Sequence, residues 1–402
     1  MSEFQYLLPP SSERMIVPDT AGNFDIRFKV TSPNYFRLGR NALYLSPGDN
    51  LTVFIDYSDP RKAVFNGRGA EANTYLKHCP FPKGGSYIDA GSNVKSTPEA
   101  TLTFVEEMAA NRAKELLAVK GISDEFRRLE TARIKADLIN SILMGEDYST
   151  YILKLKEEEE KAFSVKYKAA TDAALAAYCK DFTDPSLMKM VVYRDVAGTV
   201  IKHGGSAESL QQIKAYYAVS KLVRNMQKES DKQLLAAFKS EIEQLGEPIY
   251  QTAANKMLAS LMAFGKGDPA ADFAALDAQG QTVSLSSLKG KVIYVDLWAT
   301  WCGPCMKEMP AFEQLKQEYA TNKDVVFISL SIDDNEALWK GSLRQRQADG
   351  YQWLINRNKL KAYNIVGIPR SLLIGKDFKM VDMNAPMPSE AAAKKAIDAL
   401  LK

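Results

Sequence analysis

A run of strand-forming residues from Lys291 to Trp298 leads directly into Trp301-Cys302-Gly303-Pro304-Cys305, and that short passage constrains the fold more than any other. The run is rich in Val, Ile and Tyr and follows Gly290, the pattern of a strand buried on both faces. From Pro304 to about Tyr319, apolar residues recur at Met306, Met309, Phe312, Leu315 and Tyr319, close to helical spacing. The two cysteines therefore sit where a strand ends and a helix begins. Unpaired backbone N–H groups and the positive end of the helix dipole favour a thiolate there. A dithiol so placed can exchange disulfides.

Two blander readings compete. A structural zinc site needs four ligands, commonly Cys or His in pairs. The chain has four Cys and two His, and Cys79, Cys179, His78 and His203 lie scattered in another region, so no metal is expected. An inert pair of core cysteines is the other alternative. Asp296 bears on the choice, because it lies six residues before Cys302 between Val295 and Leu297. A carboxylate in a buried strand is costly to ionise, so its pKa should rise toward neutral, where it can accept and return a proton. Its bland reading is an acid hydrogen-bonded near a sheet end.

From about Gly267 onward the chain resembles thioredoxin-fold proteins of the TlpA/ResA type. The resemblance is carried by Asp272-Phe273, Gln279-Gly280, Leu288-Lys289-Gly290-Lys291, the stretch from Leu297 to Cys305, Glu308-Met309-Pro310 and Val366-Gly367-Ile368-Pro369. It implies that Cys302 is the nucleophile and Cys305 resolves the mixed disulfide, with no cofactor beyond their own redox-active disulfide. It also implies that Asp296 serves Cys305 as a proton acceptor, and that Glu308 tunes the two thiols unless it is merely a solvated helix residue. Pro369 should be cis, freeing the backbone at Ile368 to pair with an extended substrate. Trp301, Gly303 and Pro304 would flank the same substrate. Arg370 departs from the Thr usual after that proline, and a basic residue there would favour acidic partners. Pro310 should kink the helix. The predicted strand from Asp324 to Ile332 and helix from Asn335 to about Ala348 form an insertion shared with peroxiredoxins. A peroxidase of the AhpC/TSA type is thus an alternative, although Thr300 precedes Cys302 by only two residues.

Before this module the pattern changes. Residues 24–30 and 51–57 alternate with period two around a turn at Ser46-Pro47-Gly48-Asp49-Asn50, which predicts a β-rich domain over 1–67. This part resembles the small β-domain ahead of thioredoxin modules in Bacteroidetes-type bacteria, a binding or assembly module. Residues 68–265 read as a helical domain. Thr97-Pro98 and Asp184-Pro185 mark helix starts, and Gly121, Gly145 and Gly246 mark stops. Apolar residues at Leu129, Ile134, Leu138 and Ile142 set one helix face, and Glu157 is expected to pair with Lys161. Cys79 and Cys179 read as buried thiols, with a disulfide between them as the alternative; Lys77-His78-Cys79-Pro80 lacks a visible partner for metal or nucleophilic chemistry. Gly265-Lys266-Gly267-Asp268-Pro269 is the linker into a thioredoxin-like α/β domain over 266–402.

The expected class is multidomain α+β. A net charge of +3 in 402 residues does not suggest nucleic acid or a membrane surface, and no run of eighteen apolar residues appears. No signal peptide is visible, and Met1-Ser2 could replace a removed leader. By resemblance the protein works in the periplasm or cell envelope. It is expected to reduce protein disulfides and to be re-reduced by an unknown donor. The rivals are a disulfide isomerase or oxidant, or a binding protein whose redox site serves one client.

Overall fold

The structure, a computed structural model, describes Asp19 and residues 22–39, 41–56, 59–204, 208–365 and 367–402. Tyr57 and Val366 lie outside the described residues, as does the Glu157 side chain expected to pair with Lys161. The chain divides into two compact units, one ending at Ala218 and one running Val219–Lys402.

In the first unit, β1 (Asn34–Leu38) pairs antiparallel with β2 (Asn41–Leu45), and β3 (Asn50–Phe54) pairs antiparallel with β4 (Val64–Arg68). Leu43, Ala63 and Phe65 form their small core. The turn before β3 forms as expected, with Asp49 N–H donating to the Ser46 carbonyl at 3.1 Å. The strand expected over 24–30 does not form. Its alternating Phe24, Ile26 and Phe28 remain exposed, and no described strand pairs with it, so period two alone does not make a ladder.

The helices of this unit are α1 (Ala70–Leu76), α2 (Pro98–Ala118), α3 (Asp124–Ile152), α4 (Glu157–Cys179) and α5 (Val191–His203). Thr97 caps α2 by accepting the Ala100 N–H at 3.2 Å. Asp184-Pro185 instead opens a short 3-10 turn over Pro185–Lys189. Gly145 is a correction too: it lies inside α3 rather than at its end. A Cβ there would stand 2.1 Å from the Tyr167 hydroxyl oxygen, so the glycine admits a neighbouring tyrosine instead of stopping the helix. Leu129, Ile134, Leu138 and Ile142 are buried along α3 as their spacing predicts. The division between units falls within α6 (Ser209–Lys228).

The second unit continues with α7 (Lys232–Glu243), α8 (Pro248–Met262), β5 (Ala274–Asp277), β6 (Thr282–Ser284), β7 (Val292–Trp298), α9 (Gly303–Glu318), β8 (Val325–Ser331), α10 (Glu336–Arg346), β9 (Tyr351–Leu354), β10 (Arg370–Ile374), β11 (Met380–Ala385) and α11 (Ala391–Leu401). Seven strands form one mixed sheet in the order β11-β10-β7-β8-β9-β5-β6. The β7, β8 and β10 strands are buried along their whole length, which explains why β7 reads as an unbroken apolar run. On one face Val292, Tyr294, Val325 and Phe327 meet Phe312 and Leu315 of α9 and Ile397 of α11. On the other, Ile293, Val295, Leu297 and Ile328 join a larger cluster. The expected strand and helix of the insertion are present as β8 and α10, and a further strand, β9, follows them. The linker is tied down: Pro269 bridges Lys379, and Lys232 pairs with Asp268 at 2.5 Å.

Candidate active site

Strand β7 delivers the chain to the site. It ends at Trp298, and the loop from Ala299 to Trp301 turns it into α9. Cys302 is the N-cap of that helix: its Sγ accepts the Cys305 N–H at 3.2 Å, satisfying one of the first-turn donors. Cys302 and Cys305 are joined as a disulfide. Pro304 stands in the first turn, where the missing N–H costs nothing, and α9 runs on through Pro310. In the disulfide both cysteines are buried, Cys302 at 5% and Cys305 at 1% exposure. Trp301 beside them is 66% exposed.

Asp296 is buried in the middle of β7, and its Oδ1 has no hydrogen-bond partner. Burial raises its pKa to about 7, with the nearby Glu308 carboxylate adding to the rise and Arg346 opposing it. Glu308 itself lies on α9 but is held away from solvent-facing freedom by Ser389, whose N–H and hydroxyl donate to it at 3.0 and 2.9 Å. Its charge acts on both Asp296 and Tyr294.

The Ile368–Pro369 bond is cis. Antiparallel register pairs Arg370 with Leu297 and Ser371 with Asp296, so Pro369 arrives opposite Trp298, at the end of β7 that leads to the cysteines. Arg370 corrects a sequence reading. It is buried, and its guanidinium donates to the carbonyls of Met383 at 2.7 Å and Asn364 at 2.9 Å. Burial lowers its pKa to about 10. A side chain so committed braces β10 against β11 and does not present charge to an acidic partner.

Sequence reasoning missed Asp333. This buried carboxylate accepts the Thr300 N–H at 3.0 Å and the Thr300 hydroxyl at 2.7 Å, and it also accepts the Ser331 hydroxyl at 2.7 Å. It anchors the loop that carries Cys302. The signal was a Ser331-Ile332-Asp333 step at the end of a buried strand, too short to separate from an ordinary strand terminus. Because the Thr300 hydroxyl is turned to Asp333, it does not serve the thiol as a peroxidase reading would require.

Elsewhere, Cys79 and Cys179 are both free. Cys79 Sγ lies 3.1 Å from Arg112 Nη2 and 3.6 Å from Glu130 Oε2, and burial pushes its thiol up to about 12. That is the opposite of an activated nucleophile. Among the described residues, no group of three or more His, Cys, Asp or Glu is arranged to hold a metal.

A buried-strand acid, a helix-capping disulfide and a cis-proline at the neighbouring strand define a thioredoxin-fold dithiol/disulfide site. Residues 265–399 match the Redoxin family model. The chain is 34% identical over 117 residues to the thiol-disulfide oxidoreductase ResA of Bacillus cereus, covering 29% of this chain and 67% of that protein. It is 32% identical over 117 residues to ResA of Bacillus thuringiensis subsp. konkukian, covering 29% of this chain and 66% of that protein. The match thus spans about two thirds of the ResA relatives' length. A solved structure described as a candidate thiol-disulfide oxidoreductase from Bacteroides vulgatus is 43% identical, covering 34% of this chain and 96% of that one, with a TM-score of 0.33. The chain belongs to the ResA-like thiol–disulfide oxidoreductases, with its Redoxin match confined to residues 265–399.

Proposed function

We propose that the protein reduces disulfides in protein substrates. The observation that carries this is a Cys302–Cys305 disulfide capping α9, with ionisable Asp296 buried in the strand that leads to it. In the reduced protein, Cys302 thiolate attacks one sulfur of a substrate disulfide and releases the other as a thiolate. Asp296 takes the proton of Cys305, whose thiolate then attacks Cys302 Sγ. The substrate leaves with two electrons and the Cys302–Cys305 disulfide re-forms. A thiol donor must return those electrons; no other cofactor enters the cycle. Trp301, Gly303, Pro304 and the Ile368–Pro369 backbone would line the substrate, with Glu308 acting on the acid.

Action in the periplasm or cell envelope, which the sequence resemblance implies, belongs to the same proposal. No helix of the described residues is long and apolar enough to cross a membrane. We carry the division 1–67, 68–265 and 266–402 as part of the same reading, with the first two segments holding a client or partner. The test is reduction of insulin disulfides by thiol-reduced full-length protein. Cys302→Ser should abolish turnover; undiminished turnover in that variant would remove the assignment.

A further inference from the structure

Four buried polar residues stand at one level across the centre of the sheet. Register pairs Ser371 of β10 with Asp296 of β7, Asp296 with Ser329 of β8, and Ser329 with Gln352 of β9. Paired residues on adjacent strands project to the same face. All four are almost completely buried. A row of polar side chains in the core of a sheet is costly unless its members are hydrogen-bonded.

The two ends of the row differ. On the β10 side the bonds are complete: the hydroxyls of Ser371 and Tyr294 lie 2.9 Å apart, and Tyr294 Oη is 2.6 Å from the Pro386 carbonyl oxygen. On the β8–β9 side they are open. Asp296 Oδ1, Ser329 Oγ and Gln352 Oε1 are buried without partners, and so are Arg346 Nη2 and Trp298 Nε1. Arg346 lies with its guanidinium 4.6 Å from the Trp298 ring, its Nη1 3.1 Å from Met309 Sδ and its Nε 3.4 Å from the Ser342 hydroxyl oxygen, so its direct contacts are a thioether, an indole and a hydroxyl. The far end reaches the surface. Gln352 Nε2 donates to the Asp349 carbonyl at 2.8 Å, and the Asp349 carboxylate pairs with Lys316.

We propose that Asp296, Ser329 and Gln352, with Arg346 beside them, form a hydrated relay that couples the buried acid to solvent at the β9 edge. Adjacent strands are about 4.8 Å apart, so Asp296 and Gln352 are separated by about 10 Å. Internal water placed among these five open atoms would find the three or so polar partners that a buried water needs. The relay matters because substrate covers the dithiol while Cys305 is being deprotonated. The proton Asp296 takes from Cys305 then leaves along the water held by Ser329 and Gln352, and the carboxylate is solvated from behind. This inference rests on the role of Asp296 proposed above. Ser329, Gln352 and Arg346 are positioning residues that act through it. The ionisable groups that act on the acid are Glu308, Arg346 and Tyr294, with Glu313 acting in turn on Arg346.

Two readouts on the full-length protein test it: the pH profile of resolution of a glutathione mixed disulfide on Cys302, and the titration of Asp296 by carboxyl carbon NMR in the reduced protein. Ser329→Val replaces the hydroxyl with methyl groups, and Gln352→Leu replaces the amide with an apolar side chain of comparable bulk. Each should raise both midpoints by about one pH unit, a tenfold slowing on the acid side of the profile. The alkylation rate of Cys302 should not change. Arg346→Gln should move the midpoints the same way, and Arg346→Lys should restore them. Unmoved NMR midpoints in folded Ser329→Val and Gln352→Leu would overturn the relay. If instead Asp296→Asn resolves like the parent while the NMR midpoints do shift, the relay stands and the catalytic role of Asp296 fails.

Discussion

Asp296→Asn should make the second unit more stable, and only above the acid range. The folded chain holds the Asp296 proton up to about pH 7, whereas the ordinary value is 3.8. Between those two values the folded state binds more protons than the unfolded state, so stability falls as pH rises. Below pH 3.8 both states are protonated and the cost of burying the charge vanishes. Above pH 7 the folded protein carries a buried carboxylate, and the accumulated cost is roughly 4 kcal/mol at about 1.4 kcal/mol per pH unit. Asparagine has nearly the same shape and no charge to bury. The variant should therefore match the parent near pH 4 and exceed it by up to about 4 kcal/mol at pH 8. Denaturant unfolding followed by tryptophan fluorescence isolates the relevant unit, because Trp298, Trp301, Trp339 and Trp353 are the only tryptophans and all lie in it. A stability gap that is the same at pH 4 and pH 8 would refute the linkage argument. The same substitution should leave attack by Cys302 intact and slow resolution by Cys305 at neutral pH.

Three further outcomes are expected. Alkylation of the reduced protein near pH 7 should label Cys302 before Cys305, since Cys302 caps the helix while Cys305 lies within its first turn; mass mapping of the adduct decides this. Titration against glutathione mixtures should place the pair below roughly −200 mV, nearer thioredoxin than DsbA, because Pro304 between the cysteines resembles the thioredoxin loop; a value near −120 mV would make the protein an oxidant. Asp333→Ala should leave the Thr300 N–H and hydroxyl without their acceptor, cost about 1–3 kcal/mol in denaturant unfolding and slow Cys302 alkylation, whereas unchanged alkylation would mean the loop holds itself.

The parts of the site that were legible in the sequence are local. Residues 291–305 show the strand, the cysteines and the helix start because each depends on neighbours a few positions away. Asp296 was legible for the same reason, as a carboxylate inside an apolar run. What was not legible depends on partners distant in sequence. The charge of Arg370 reads as available from its neighbours in sequence, whereas its guanidinium is held by the distant carbonyl of Met383 and that of Asn364. Gly145 has the composition of a helix stop, and only the approach of Tyr167 explains why α3 passes through it. Residues 24–30 carry the alternation of a strand but lack a described partner strand. Ser329 and Gln352 are unremarkable polar residues until parallel pairing aligns them with Asp296.

The central claim is that Cys302 attacks and Cys305 resolves. Cys305→Ser, thiol-reduced and mixed with a disulfide-bonded protein such as insulin, tests it most directly by non-reducing electrophoresis and mass spectrometry of the adduct. The account predicts a stable mixed disulfide on Cys302, released by added thiol and absent from the Cys302→Ser variant. An adduct that maps to Cys79 or Cys179, or the absence of any adduct while the parent still reduces insulin, would contradict it.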